Sequence, residues 1–142
     1  MARRKRRVNY SDFPHHRTIC KLRKIVEAYG MRLRTRRFIT FSGEYCHKSK
    51  TAWVNLDNPA NVVISTVFHE LGHHLDLEAG LFRKYYDGRS SNRTMRRLAL
   101  RAERHADLVG RRLCKKYFPK VKFHEAYVDQ EDIDWLLNEF FR

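Results

Sequence analysis

Long apolar runs are absent from this chain: nothing among its 142 residues approaches the roughly 18 to 20 consecutive apolar positions that a membrane-spanning helix requires. Cysteine is sparse. Cys20, Cys46 and Cys114 stand far apart with no CxxC pair, which argues against a disulfide framework and excludes a cysteine-rich zinc module. Glycine and proline number only 6 and 3, so no long Gly/Pro-rich linker divides the chain. The basic start MARRKRR leads into VNYSDFPHHR, without the apolar segment of a secretory signal. These absences lead us to expect a soluble, cytoplasmic protein in a reducing compartment, with no membrane partner.

Acid is heavily outnumbered. Sixteen Asp and Glu face 30 Lys and Arg, for a formal net charge of +14. Such a balance predicts attraction to polyanions, nucleic acid first, although a basic surface also serves simple solubility. Five cations in a row, Arg3, Arg4, Lys5, Arg6 and Arg7, repel one another and have nothing to bury. We expect residues 1–10 to form a disordered arm able to track phosphates. Residues 11–142 suit one domain, since 42% of the chain is hydrophobic and 13% aromatic and the length supports a single modest core.

Periodicity divides the rest into helices and strands. Ile19, Leu22, Ile25, Val26 and Tyr29 recur at helical spacing over residues 14–29, and Gly30 follows where a left-handed cap belongs. Residues 31–35 and 37–41 read as short strands, residues 44–47 extend the pairing, and TAWVNL at 51–56 is another strand. A second helix opens at residue 60 or 61 and ends at Gly80. A loop over residues 86–92 then leads to a third helix over 94–117. Residues 121–123 suggest one more strand, and Asp129 caps a last helix bearing Trp135, Leu136, Phe140 and Phe141.

The second helix carries HELGHHLD, residues 69–76. Residues four apart on a helix lie one turn above each other, so His69 and His73 can turn two imidazoles towards one ion. Glu70 sits about 100° round from His69, beside the ligands without being one of them. Metal-assisted hydrolysis needs such a set: two neutral nitrogens, an open position for water and an adjacent carboxylate base. Gly72 in the helix interior costs about 1 kcal/mol relative to alanine, which suggests a close backbone neighbour.

A catalytic zinc site usually takes three protein ligands. His74 points away from the direction His69 and His73 share. The extended pattern HExxHxxGxxH fails, because Asp76 and Ala79 stand where its glycine and third histidine belong. The third helix offers Glu103 within a stripe of small residues, Ala99, Ala106 and Gly110, which suits tight packing on the motif helix. Glu103 is therefore the expected third ligand, and Asp107, one turn on, the acceptor for the free ring N–H of His69. His105 falls about 200° from Glu103 and reads as a satisfied core residue. His105, His124, Tyr117 and Tyr127 all stay open as oxyanion stabilisers.

HExxH followed on a later helix by a glutamate and, four residues on, an aspartate is the pattern of gluzincin zinc peptidases. The chain resembles them at His69, Glu70, His73, Glu103 and Asp107. Among small members it looks most like the ImmA/IrrE-type metallopeptidases, in which a strand ending near an asparagine leads into a helix with HELGH. TAWVNLDNPANVVISTVFHELGHHLD has that layout, and the resemblance spans roughly residues 51–113. It implies an α+β, zincin-like fold in which a small mixed sheet packs on the HExxH helix and the glutamate helix. It also implies Zn2+ as cofactor and a protein or peptide substrate paired with the strand Ala52, Trp53, Val54 and Asn55 as its edge.

The expected activity is that of a zinc-dependent endopeptidase, with Glu70 as the base, hydrolysing a protein substrate near nucleic acid. Arg111, Arg112, Lys115, Lys116 and the arginine arm are no part of that pattern. They sustain an alternative reading: a basic nucleic-acid-binding or virion-associated structural protein whose metal site only staples two helices.

Overall fold

A computed structural model of the chain describes residues 16–37, 42–87 and 92–125. The first helix, α1 (His16–Ala28), buries Ile19, Leu22, Ile25 and Val26 along one stripe, as the three-and-four spacing dictates. It ends in a Schellman cap. Gly30 takes φ +85°, its N–H bonds to the Glu27 carbonyl at 3.0 Å, and the Met31 N–H reaches the Val26 carbonyl at 3.0 Å.

The chain then enters a three-stranded mixed sheet made of β1 (Arg32–Arg36), β2 (Gly43–Cys46) and β3 (Thr51–Asn55), in the spatial order β1-β3-β2. β1 runs parallel to β3 with Leu33 opposite Ala52 and Thr35 opposite Val54. β2 runs antiparallel to β3 with Tyr45 opposite Ala52. Leu33, Ala52 and Val54 share the buried face, while the alternate residues Arg32, Arg34 and Arg36 stand on the exposed one. Arg36 lies 3.7 Å from the ring centroid of Trp53 on that outer face.

β3 is thus the central strand, which corrects the expectation that Ala52, Trp53, Val54 and Asn55 form a substrate-binding edge. Both hydrogen-bonding sides of β3 are already occupied by β1 and β2. Its burial says the same, since every residue of the strand but Trp53 is buried.

α2 (Ala60–Glu78) follows and runs through the centre of the molecule, buried continuously from Val63 to His74. Its apolar members Val63, Ile64, Val67, Phe68 and Leu71 join residues of α1 and the sheet in the main core. Fully burying each of these side chains contributes about 1.5–3 kcal/mol. A second Schellman cap closes α2: Gly80 has φ +75°, and the Leu81 N–H bonds to the Asp76 carbonyl at 2.9 Å.

A short helix, α3 (Arg83–Asp87), lies where the sequence suggests only loop. α4 (Asn92–Tyr117) completes the described architecture. Residues 121–123, expected as a strand, have no strand partner among the described residues; Val121 and Phe123 pack against the main core instead. The fold is α+β, with a small mixed sheet on one side of α2 and α4 on the other. Among the described residues no helix is long and apolar enough to cross a membrane. The expected arm with Arg3, Arg4, Lys5, Arg6 and Arg7, the strand at 38–41 and the last helix lie outside the described residues.

Candidate metal centre

A helix packed on both sides has little room for polar side chains, yet α2 buries His69, Glu70, His73, His74 and Asp76. Each such group is costly unless it finds a partner. His69 and His73, one turn apart, point their Nε2 atoms at the same place, 3.0 Å from each other. Glu103 of α4 brings its Oε2 to 2.8 Å from His69 Nε2 and 2.9 Å from His73 Nε2. All three residues are buried, and their atoms are close enough for one ion to touch each at about 2.0–2.2 Å.

The opposite atom of every one of these residues is also engaged. His69 Nδ1 meets Asp107 Oδ1 at 2.6 Å. His73 Nδ1 meets the Tyr86 hydroxyl at 2.7 Å. Glu103 accepts a 2.8 Å bond at Oε1 from the Tyr85 hydroxyl. Asp107 as a carboxylate only accepts, so the His69 proton sits on Nδ1. Tyr86 can donate its own hydrogen to the His73 carbonyl at 3.3 Å, which leaves its oxygen able to accept from His73 Nδ1–H. With both rings neutral in these tautomers, the two Nε2 atoms present lone pairs towards a carboxylate oxygen.

Three acceptors within 3.0 Å of one another repel unless something positive lies between them. One proton can relieve a single N···O or N···N contact, and a second would set two N–H groups against each other. A single cation relieves all three. Two imidazoles and one carboxylate, each fixed from behind, form a donor set that suits zinc and other borderline divalent metals. Among the described residues no fourth His, Cys, Asp or Glu joins them. Three protein ligands are the number typical of a site that keeps a position for water or substrate.

Glycine explains how two helices can come close enough for this. A Cβ on Gly72 would stand 2.4 Å from the Ala106 carbonyl oxygen, and one on Gly110 would stand 2.7 Å from that of Phe68. The two backbones therefore touch at two points beside the ligands, at the small-residue stripe of α4. β2 approaches α2 in the same way, since a Cβ on Gly43 would meet Thr66 Cγ2 at 2.5 Å.

Electrostatics follow from this burial. Burial would push the His69 imidazole down, but the bond to Asp107 and the Glu103 carboxylate outweigh it and hold the ring well above the ordinary histidine value. Burial raises Glu103, and the neighbouring charge on His73 with the bonds to both imidazoles more than reverses it, leaving the carboxylate well below its usual range. Glu70 differs. Burial lifts its pKa, the two histidine charges only partly oppose that, and the Glu103 and Glu44 carboxylates add to the rise. Glu70 is 6% exposed, and no hydrogen bond engages its carboxylate among the described residues. A carboxylate raised in this way is a stronger base than one in water.

The structure therefore gathers His69, His73, Glu103 and Asp107 at one place, with Glu70 on the same stretch of α2. His74 is turned away: Tyr45 donates to its Nδ1 at 2.7 Å and its Nε2–H donates to the Tyr29 carbonyl at 2.8 Å. His105 is not a core residue, since its side chain is 37% exposed, and it bonds Asp76 at 2.8 Å. Tyr117 bonds the Tyr29 hydroxyl and stacks on Phe68, away from the ligand atoms. His124 is exposed and donates its backbone N–H to Ser65, while Tyr127 lies outside the described residues.

Tyr85 and Tyr86 are the site residues that sequence reasoning missed. Two adjacent hydroxylated aromatics shortly after the motif helix, in a stretch of turn formers and cations, were the only signal.

Neither a family model nor a curated protein nor a solved structure matches the chain, so its reading rests on this geometry.

Proposed function

We propose that the protein is a metal-dependent endopeptidase of the gluzincin type, most like the ImmA/IrrE metallopeptidases, with zinc as its ion. The observation that carries this reading is the convergence of His69 Nε2, His73 Nε2 and Glu103 Oε2 within 3.0 Å, with every rear atom held by a partner. His69, His73 and Glu103 hold the metal, which when bound polarises a carbonyl and makes water a nucleophile near neutral pH. Glu70 accepts a proton from the attacking water and returns it to the leaving amine. Asp107 and Tyr86 fix the tautomers of the two imidazoles, and Tyr85 fixes the carboxylate.

The substrate strand is reassigned to β2. Among the described residues β2 is an edge of the sheet, and it lies along α2 through the Gly43–Thr66 contact and the Tyr45–His74 bond. An extended peptide added there gains main-chain hydrogen bonds that do not depend on its side chains, the recognition a protein substrate requires. Glu44 on this strand acts on the charge of Glu70, so the edge and the base are neighbours.

Glu70→Gln tests the reading. It removes the base and leaves the three ligands, so bound metal stays at the wild-type level while hydrolysis of an unstructured protein such as casein falls by at least about a hundredfold. Unchanged hydrolysis in this variant rejects the assignment.

A further inference from the structure

The strongest unassigned feature is the outer face of α4. At 100° per residue, Arg93, Arg97, Arg101, Arg104, Arg112 and Lys115 fall within an arc of about 100°. All six are exposed. From residue 93 to residue 115 the row runs for about 33 Å at 1.5 Å per residue. None of the six has an ion-pair partner among the described residues. The helix has two acids, Glu103 and Asp107, and both are buried at the metal centre, outside the arc of the row. Nothing on α4 therefore neutralises the row, and the close glycine contacts pack α4 against α2 before any partner arrives.

We infer that this face is a docking surface for the phosphate backbone of double-stranded nucleic acid, bound without regard to sequence. Five of the six cations are arginine, whose forked donors match phosphate oxygens. They recur every three or four residues over most of the row, about 4.5–6 Å along the axis, so they meet a regularly charged polymer. The row is about as long as one turn of duplex, roughly 34 Å. Exposed Leu108 is the sole apolar side chain within it, and the row itself holds no aromatic residue on which a single strand's bases could stack. No Asn or Gln stands in the row to read base edges. A membrane surface fits less well, since the apolar side of α4 that would enter lipid is packed on α2.

The inference does not rest on the peptidase reading.

The test is fluorescence anisotropy of the full chain with a labelled duplex of roughly three helical turns, about 30 base pairs. Salt is varied from about 50 to 200 mM. The triple variant Arg97→Gln, Arg101→Gln, Arg104→Gln is compared with wild type, and with a variant in which Arg3, Arg4, Lys5, Arg6 and Arg7 are alanine. Removing three phosphate contacts is expected to weaken binding at least tenfold and to flatten the log K against log salt slope by about 2.7. Circular dichroism and metal content should stay at wild-type values, because the three side chains are exposed. Unchanged duplex affinity and slope in the triple variant overturn the inference, whatever the arm variant does. So does preferential binding to anionic vesicles or to polyglutamate over duplex.

Discussion

His69 Nδ1 and Asp107 Oδ1 lie 2.6 Å apart across the interface of α2 and α4, so a buried carboxylate grips the ring from behind while its other nitrogen faces Glu103. This contact decides which nitrogen carries the proton. Asp107→Asn can still accept a hydrogen bond but loses the charge that makes the imidazole a better donor to metal. Metal affinity is expected to fall about 10- to 100-fold, read by competition with a chromophoric chelator. An affinity equal to wild type would show that Asp107 does not act through His69.

Tyr86 plays the same part for His73, with a neutral hydroxyl in place of a carboxylate. Tyr86→Phe leaves the His73 Nδ1–H and carbonyl without this partner in a buried place, at a cost of about 1–3 kcal/mol. Weaker metal binding, about tenfold, is expected by the same chelator competition. Tyr85→Phe frees Glu103 Oε1 and should act in the same direction. No change in either variant would mean that α3 does not support the site.

The closeness of α2 and α4 is the third dependence. Gly110→Ala forces a Cβ to within 2.7 Å of the Phe68 carbonyl oxygen, and no flexible side chain can give way there. Overpacking of this kind costs about 1–3 kcal/mol, measurable as a lower Cm in urea. Because the same displacement carries Glu103 away from His69, metal affinity should fall together with stability. Loss of stability with fully retained metal binding would separate the two.

Much of this site can be read from the chain, because its parts obey local periodicities. The i, i+4 spacing of His69 and His73 puts both rings on one side of any helix. Glu103 stands out as an acid amid Ala99, Ala106 and Gly110, where a solvated face would be charged, and Ala106 and Gly110 are the ones that let α4 reach α2.

What failed to be legible depends on tertiary placement. α3 spans only Arg83–Asp87, too short for a periodic signal, so its two tyrosines looked like loop residues. Strand order is not encoded in any one strand, and TAWVN read in isolation does not say that β1 and β2 flank it. Val121 and Phe123 have strand-like side chains but use them for packing. His105 shares a helix face with Leu98, Ala102 and Val109, yet its ring is part-exposed and reaches Asp76.

The most direct test is the metal content of the purified full chain and of Glu103→Ala, by elemental analysis, with circular dichroism to confirm that both are folded. Close to one zinc per wild-type chain, with none retained by folded Glu103→Ala after dialysis, is the expected result. A wild-type chain that takes up no divalent metal, or a Glu103→Ala chain that holds it as tightly, would contradict a metal held between α2 and α4.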